Sequence, residues 1–199
     1  MGTAKIELSK ARELADRIAV HISPAMARCE VAGSVRRGKP VVGDIEIVGL
    51  PADGERLVRL LGEVGQPIKP GVPGVVPWDL KADAKYMRLH LPELGCNLDL
   101  FNAHELNWGG LLLMRTGSGV DPKGNSFMGF TPGIFSYWKK LSGGGRMVGC
   151  QPQRPDGELL PLREEGDFFD LLGMGFVPPE ERVSKAVIKK YVKSETQGG

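Results

Sequence analysis

Hydrophobic positions along the chain change their period, and the change marks out the elements. After Ser9, a candidate N-cap, Ala11, Leu14, Ala15, Ile18 and Ile22 recur at helical spacing until Pro24. That spacing lines one side of an amphipathic helix. Cys29-Glu30-Val31-Ala32 then reads as a short strand ending at Gly33. Asp44-Ile45-Glu46-Ile47-Val48 alternates acidic and apolar residues, the period of a strand with one buried face. Asp53 can cap a second helix carrying Leu57, Leu60, Leu61 and Val64 on one side, with Gly65 as its stop. Residues 66–77 hold Pro67, Pro70, Pro73 and Pro77 among glycines, which predicts a loop or arm without regular structure. Residues 85–91 and 96–101 predict a hairpin across the turn Pro92-Glu93-Leu94-Gly95.

Beyond residue 105 the composition loosens. Residues 108–115 predict a helix that closes at Thr116-Gly117-Ser118, and 119–133 a Gly/Pro-rich loop. A helix over 135–141 is cut off by Gly143-Gly144-Gly145, and Asp156-Gly157 marks a turn between short strands. Residues 167–172 predict a short helix, Pro178-Pro179 a break, 181–193 a last helix and 194–199 a frayed tail.

Composition narrows the class of protein. Of 199 residues, 41% are hydrophobic and 25% charged, enough apolar surface for a folded core. The net charge of +2 means that any nucleic-acid binding comes from local patches. Cys29, Cys96 and Cys150 are too scattered for a disulfide framework or a zinc site, which suits a reducing compartment. His21, His90 and His104 also lack ligand spacing. The longest apolar stretch, 111–114, is far below the ~20 residues that span a bilayer. The charged N-terminus has no signal-peptide core, and Ile6 stands where a myristoylation signal needs Ser or Thr. The expectation is a soluble, cytoplasmic monomer with no membrane partner.

The acids carry the candidate chemistry. Asp44 and Glu46 lie two apart on a strand, so both side chains point to one face, ~6–7 Å apart at the backbone. Alone, such a pair also reads as a solvated strand face. Upstream, Gly33-Ser34 ends a strand with residues small enough for backbone N–H groups to approach an anion, and Arg36 and Arg37 add forked donors suited to phosphate. Asp99, in Asn97-Leu98-Asp99-Leu100-Phe101, places a third acid on another alternating strand. If that strand is a neighbour, at ~4.8 Å, the three acids form one patch. Such a patch needs divalent cations, and two ions ~3.5–4 Å apart beside a phosphate-binding loop perform in-line nucleotidyl transfer.

In this order, Gly33-Ser34-Val35-Arg36-Arg37-Gly38, Gly43-Asp44-Ile45-Glu46 and Leu98-Asp99-Leu100 resemble the polymerase-beta-like nucleotidyltransferases. More narrowly, the chain is similar to family X DNA polymerases over roughly residues 5 to 182. Lys85-Tyr86-Met87 resembles the family strand before the third Asp, and residues 112–118 its palm-to-thumb helix ending in Thr-Gly-Ser. Leu159-Leu160-Pro161, residues 167–172 and Pro179-Glu180-Glu181-Arg182 resemble its thumb.

The resemblance implies an α/β (α+β) fold, a nucleotidyltransferase palm with a mixed sheet flanked by helices over 1–105. A connecting helix and small thumb follow over 106–193, with 194–199 a disordered tail. It implies that Asp44 and Glu46 bind two Mg2+ or Mn2+ ions and that Asp99 binds the one activating the primer 3′-hydroxyl and serves as general base. Gly33, Ser34, Arg37 and Gly43 would hold the triphosphate, and Met114, Arg115, Thr116, Gly117 and Ser118 would bind the nucleotide near its sugar. The implied partners are dNTP and primer-template or gapped DNA, and the implied activity is template-directed DNA synthesis in short-gap repair.

The chain departs from the family in several places. Glu46 stands where Asp is usual, and Met114-Arg115 where an aromatic pair is usual, so metal preference and ribonucleotide discrimination do not follow from the resemblance. An apparent insertion covers 119–134, and no N-terminal lyase-type domain or helix-hairpin-helix pattern is visible. The expectation is a minimal palm-plus-thumb enzyme, as in some virus- or phage-like members, acting in the host cytoplasm if so encoded.

Arg182, Lys185, Lys189 and Lys193 recur at helical spacing with Lys190 beside them, and Lys139, Lys140 and Arg146 flank a glycine run. Both groups read equally as DNA contacts or as solvated surface. Two rival functions remain: a template-independent or small-substrate nucleotidyltransferase, and a non-catalytic DNA-binding module.

Overall fold

A computed structural model describes residues 5–72 and 77–192. The chain divides into two compact units, Met1–His104 and Glu105–Gly199. Together they make a mixed α/β fold.

The first unit opens with β1 (Ile6–Glu7) and α1 (Leu8–Ile22). Next come β2 (Met26–Val31), a single helical turn α2 (Gly33–Arg36), β3 (Val41–Val42) and β4 (Ile45–Pro51). It closes with α3 (Gly54–Val64), β5 (Gln66–Pro67), β6 (Tyr86–Leu91) and β7 (Cys96–Asn102). Five strands form one sheet in the order β2-β4-β7-β6-β5. Among the described residues of this sheet, β4 and β7 run parallel and the other neighbours antiparallel.

Ile45, Ile47, Met87, Leu89, Leu98 and Leu100 face one side of this sheet and pack with Leu14, Ile18, Leu57 and Leu61 of the helices. Each is at least nine-tenths buried, worth roughly 1.5–3 kcal/mol per aliphatic side chain. Strand alternation sends their neighbours Glu46, Arg88 and Asp99 to the opposite face. Hydrophobic packing on one side therefore positions the acids on the other.

α1 begins one residue before Ser9, with Glu7 as N-cap, so Ser9 sits in the first turn. Pairing of Ile6 with Val42 and the Leu8 N–H bond to the Pro40 carbonyl set that start. Asp53 caps α3 as expected, accepting from the Arg56 N–H at 2.9 Å. The proline-rich stretch is not wholly irregular: β5 pairs with β6 at the sheet edge, where Pro67 is tolerated. Residues 85–91 and 96–101 do form the expected hairpin, with Leu91 opposite Cys96.

The second unit contains α4 (Trp108–Thr116), α5 (Phe130–Leu141), β8 (Arg146–Val148), β9 (Gln151–Gln153), α6 (Glu165–Leu171) and α7 (Ile188–Tyr191). Its core includes Leu113, Phe130, Trp138, Phe168 and Phe169. α5 starts five residues earlier than periodicity indicates, because Pro132 falls in the first turn, where a missing N–H costs nothing. The β8–β9 hairpin turns at Gly149-Cys150, both at positive φ, and Asp156-Gly157 forms the expected turn between β9 and Leu159, which bridges Gln153.

The last helix expected over 181–193 is broken. Pro179–Glu181 and Lys185–Val187 are separate 3-10 turns, and α7 adds only four residues. Arg182 turns inward between them and is fully buried. Among the described residues no helix is long and apolar enough to cross a membrane.

Candidate functional site

Glu46 and Asp99 reach one face of the sheet by register, and Asp44, just before β4, lies near enough for the charge of Asp99 to act on it. Glu46 and Asp99 are direct partners on the parallel strands β4 and β7, and Asp44 precedes Glu46 by two. Asp99 is only 4% exposed, and its carboxylate is held firmly. Arg88 donates twice, Nε to Oδ1 at 2.6 Å and Nη2 to Oδ2 at 2.7 Å, and the Tyr86 hydroxyl donates to Oδ1 at 2.7 Å. Tyr86 also stacks on Phe101, ring centroids 4.9 Å apart.

These bonds shape the local charge. Hydrogen bonding to Asp99 raises the Arg88 guanidinium above its ordinary value, and burial with the Asp99 bond keeps the Tyr86 phenol protonated. The Asp44 carboxyl is pushed up, first by burial and then by the charge of Asp99, against the pull of Arg88, Arg37 and Lys39. Burial lowers Arg37, while Glu46 and then Asp44 support its charge.

The Gly33–Arg37 turn lies against Glu46. Gly33 has φ +62°, and a Cβ built there would fall on the Glu46 carboxylate, so the position needs glycine twice over. Ala32 N–H bonds the Glu46 carbonyl at 2.8 Å and fixes the start of the turn against β4. Gly33, Ser34, Arg37, Gly43, Asp44, Glu46 and Asp99 thus fall in one unit, with Arg37 at the C-cap of α2 and Gly43 just before Asp44.

Among the described residues, no group of three or more His, Cys, Asp and Glu side chains is placed so as to hold a metal ion. The donor chemistry still suits a hard divalent cation. Asp44 and Asp99 repel each other, and burial makes Asp44 costlier to ionise. A cation would offset both penalties, and carboxylate oxygen is its preferred ligand. Asp44 and Glu46 fit as first ligands. Asp99, whose two oxygens are both held by Arg88 and one of them also by Tyr86, would have to turn from these partners to join as a third.

Met114 to Ser118 belong to the second unit. Met114 and Arg115 are half-buried, Thr116 is fully buried, and a Cβ on Gly117 would meet Thr131 and Phe130. Ser118 N–H bonds the Arg182 carbonyl at 2.9 Å, and its own carbonyl accepts from Thr131 N–H at 3.0 Å. Hydrogen bonds and packing therefore tie this segment to its own unit.

Lys139 and Lys140 are exposed in the last turn of α5, and exposed Arg146 on β8 donates to Gln153 at 2.7 Å. Lys185 and Lys189 are exposed but belong to different short elements. Lys190 is ion-paired with Glu181 at 2.8 Å, and buried Arg182 bonds Glu165 and the Val177 carbonyl. The expected single basic helix face is therefore not formed by the described part of that stripe; Lys193 and the expected tail, 194–199, lie outside the described residues.

Arg88 escaped the sequence reading, and Tyr86 entered it only within a strand motif. Both follow from the hairpin register: Leu91 opposite Cys96 places Arg88 opposite Asp99. Counting back from the turn was the available signal.

No protein-family model matches the chain, and neither does any curated protein sequence.

Proposed function

We propose that the chain transfers nucleotides to a DNA 3′ end as a template-directed polymerase of the family X type, in short-gap repair. The observation that carries this reading is the register of Glu46 with Asp99, with Asp44 near enough to feel the charge of Asp99 and the Gly33–Arg37 turn against Glu46.

Arg37 and Ser34 would bind the triphosphate, and Gly33 keeps side-chain bulk away from Glu46. Asp44 and Glu46, with Asp99, would hold Mg2+ or Mn2+, which would neutralise phosphate charge and acidify the attacking hydroxyl. Asp99 would take the 3′-hydroxyl proton, Arg88 and Tyr86 fixing the direction its carboxylate faces. The hydroxyl oxygen then bonds the α-phosphorus, and the bond to pyrophosphate breaks.

One observation favours the template-independent or small-substrate alternative: the missing basic helix face removes part of the case for a duplex grip.

The test is a single-nucleotide gap with each template base, one dNTP at a time, and either metal. Incorporation should follow the template base. Asp99→Asn should lose about 10²-fold or more of that activity while DNA binding persists. Wild-type extension by this variant would overturn the three-acid site. Equal use of all four dNTPs would favour the alternative.

A further inference from the structure

We propose that β2 is a self-pairing edge, through which two copies of this chain join antiparallel about a two-fold axis at Cys29.

The sheet has two edges, β2 and β5. β5 has two residues, one of them Pro67, which cannot donate. β2 has no proline and, past a register shift between Met26 and Arg28, pairs regularly with β4 from Arg28 to Val31, so it is the edge able to extend the sheet. Its backbone parity is fixed. Ala32 N–H bonds the Glu46 carbonyl, and the same register sets Glu30 opposite Val48 and Arg28 opposite Leu50. The ladder groups of Arg28, Glu30 and Ala32 therefore face β4, while those of Cys29 and Val31 face the open side. Two cavities of about 300 and 310 Å3, both lined by Ala19 and Cys29, run between this strand and α1.

Charge selects both occupant and register. Arg28 and Glu30 flank Cys29 on one face of the strand. Antiparallel pairing about Cys29 puts Arg28 opposite Glu30 of the second copy, and Glu30 opposite its Arg28. Both are non-hydrogen-bonded pairs, where side chains approach most closely, Cα atoms about 4.5 Å apart. Sliding two residues one way sets Arg28 against Arg28; sliding the other way sets Glu30 against Glu30. A slide of one residue breaks the backbone parity and turns the side chains to the wrong face. A parallel partner in register opposes like charges at both positions. One self-complementary arrangement remains, a departure from the monomer expected from sequence. It is independent of the proposed polymerase activity.

Sedimentation velocity of the full chain from micromolar to millimolar should show a dimer growing with concentration and weakening with salt. Arg28→Glu and Glu30→Arg should each raise the dissociation constant about tenfold or more. Mixed in equal amounts, the two variants should form a heterodimer as tight as the wild-type dimer, and the double swap Arg28→Glu with Glu30→Arg should restore self-association. Circular dichroism checks that each variant folds. A chain that stays monomeric throughout overturns the proposal. So does a dimer indifferent to both substitutions, or one weakened by each without recovery on mixing.

Discussion

Two arginine–carboxylate pairs, one in each unit, do different work with the same chemistry. In the second unit Arg182 is fully buried. Its Nη1 donates to Glu165, its Nε donates to the Val177 carbonyl at 2.8 Å, and its guanidinium lies 5.0–5.9 Å from the ring centroids of Phe176, Phe169 and Phe130. In the first unit the Arg88 side chain is 26% exposed, and its carboxylate partner shares a sheet face with Glu46 and acts on Asp44. The Arg182 charge is used entirely within a core. The Arg88 charge sits at a boundary, where it balances Asp99 and lowers the cost of ionising Asp44. One pair locks packing; the other orients a carboxylate.

That contrast is broken most sharply at Arg182. Arg182→Met would leave the buried Glu165 carboxylate without its arginine, at a cost of about 3–5 kcal/mol. Urea unfolding should show the loss, and adding Glu165→Leu should recover much of it by removing the stranded charge. An unchanged midpoint for the single variant would mean that Glu165 finds another cation.

At Arg88 the expected stability loss is smaller, about 1–3 kcal/mol, because water can reach the site. The larger consequence is in rate. If the proposed nucleotide addition is right, Arg88→Met should lower its kcat while the dissociation constant for DNA barely moves. A merely structural role would instead track the unfolding midpoint, with kcat per folded molecule intact.

How far each pair was legible in sequence follows from its contacts. Alternation in 44–48 and 96–101 exposed the acids, because the strand period assigns every second residue to a face. It could not state that β4 and β7 are neighbours, since that contact is long-range and parallel. Arg88 was within reach through the hairpin register. Arg182 was not: within 181–193 it had the spacing of a basic helix face, and only the tertiary core of Phe130, Phe169 and Phe176 draws it inward. Packing there overrides local period and breaks the helix.

The acidic face is sharpened by pH. In the folded protein Asp44 holds its proton above the ordinary value of 3.8, chiefly because of burial. The folded state then binds more protons than the unfolded chain across that window, so stability falls as pH rises from 3.8 through the raised value. In metal-free protein Asp44→Asn should flatten this decline and unfold at a higher temperature at neutral pH. Mg2+ added at neutral pH should raise the melting temperature of the wild type more than that of the variant. Identical pH profiles would remove Asp44 from the strained acid pair.

The smallest effect concerns the exposed cations of the second unit, and salt dependence reads it. Lys139 and Lys140 close the last turn of α5, where a cation also favours the helix dipole by about 0.3–1 kcal/mol. A structural role and a phosphate contact therefore predict different losses. Lys139→Ala with Lys140→Ala should reduce the slope of log affinity for DNA against log salt by about 0.9 for each phosphate contact removed on duplex DNA. If the pair serves only the helix, the unfolding midpoint drops and the slope stays. Lys189→Ala extends the test to an exposed lysine on α7. Lys190 provides the contrast beside it, since its ammonium is engaged by Glu181 at 2.8 Å. Lys190→Ala should leave the slope nearly unchanged, because an ammonium already neutralised by a carboxylate releases few counterions from DNA. A slope that falls equally for both lysines would show that DNA displaces Glu181 from Lys190, and that the ion pair is a surface contact given up on binding.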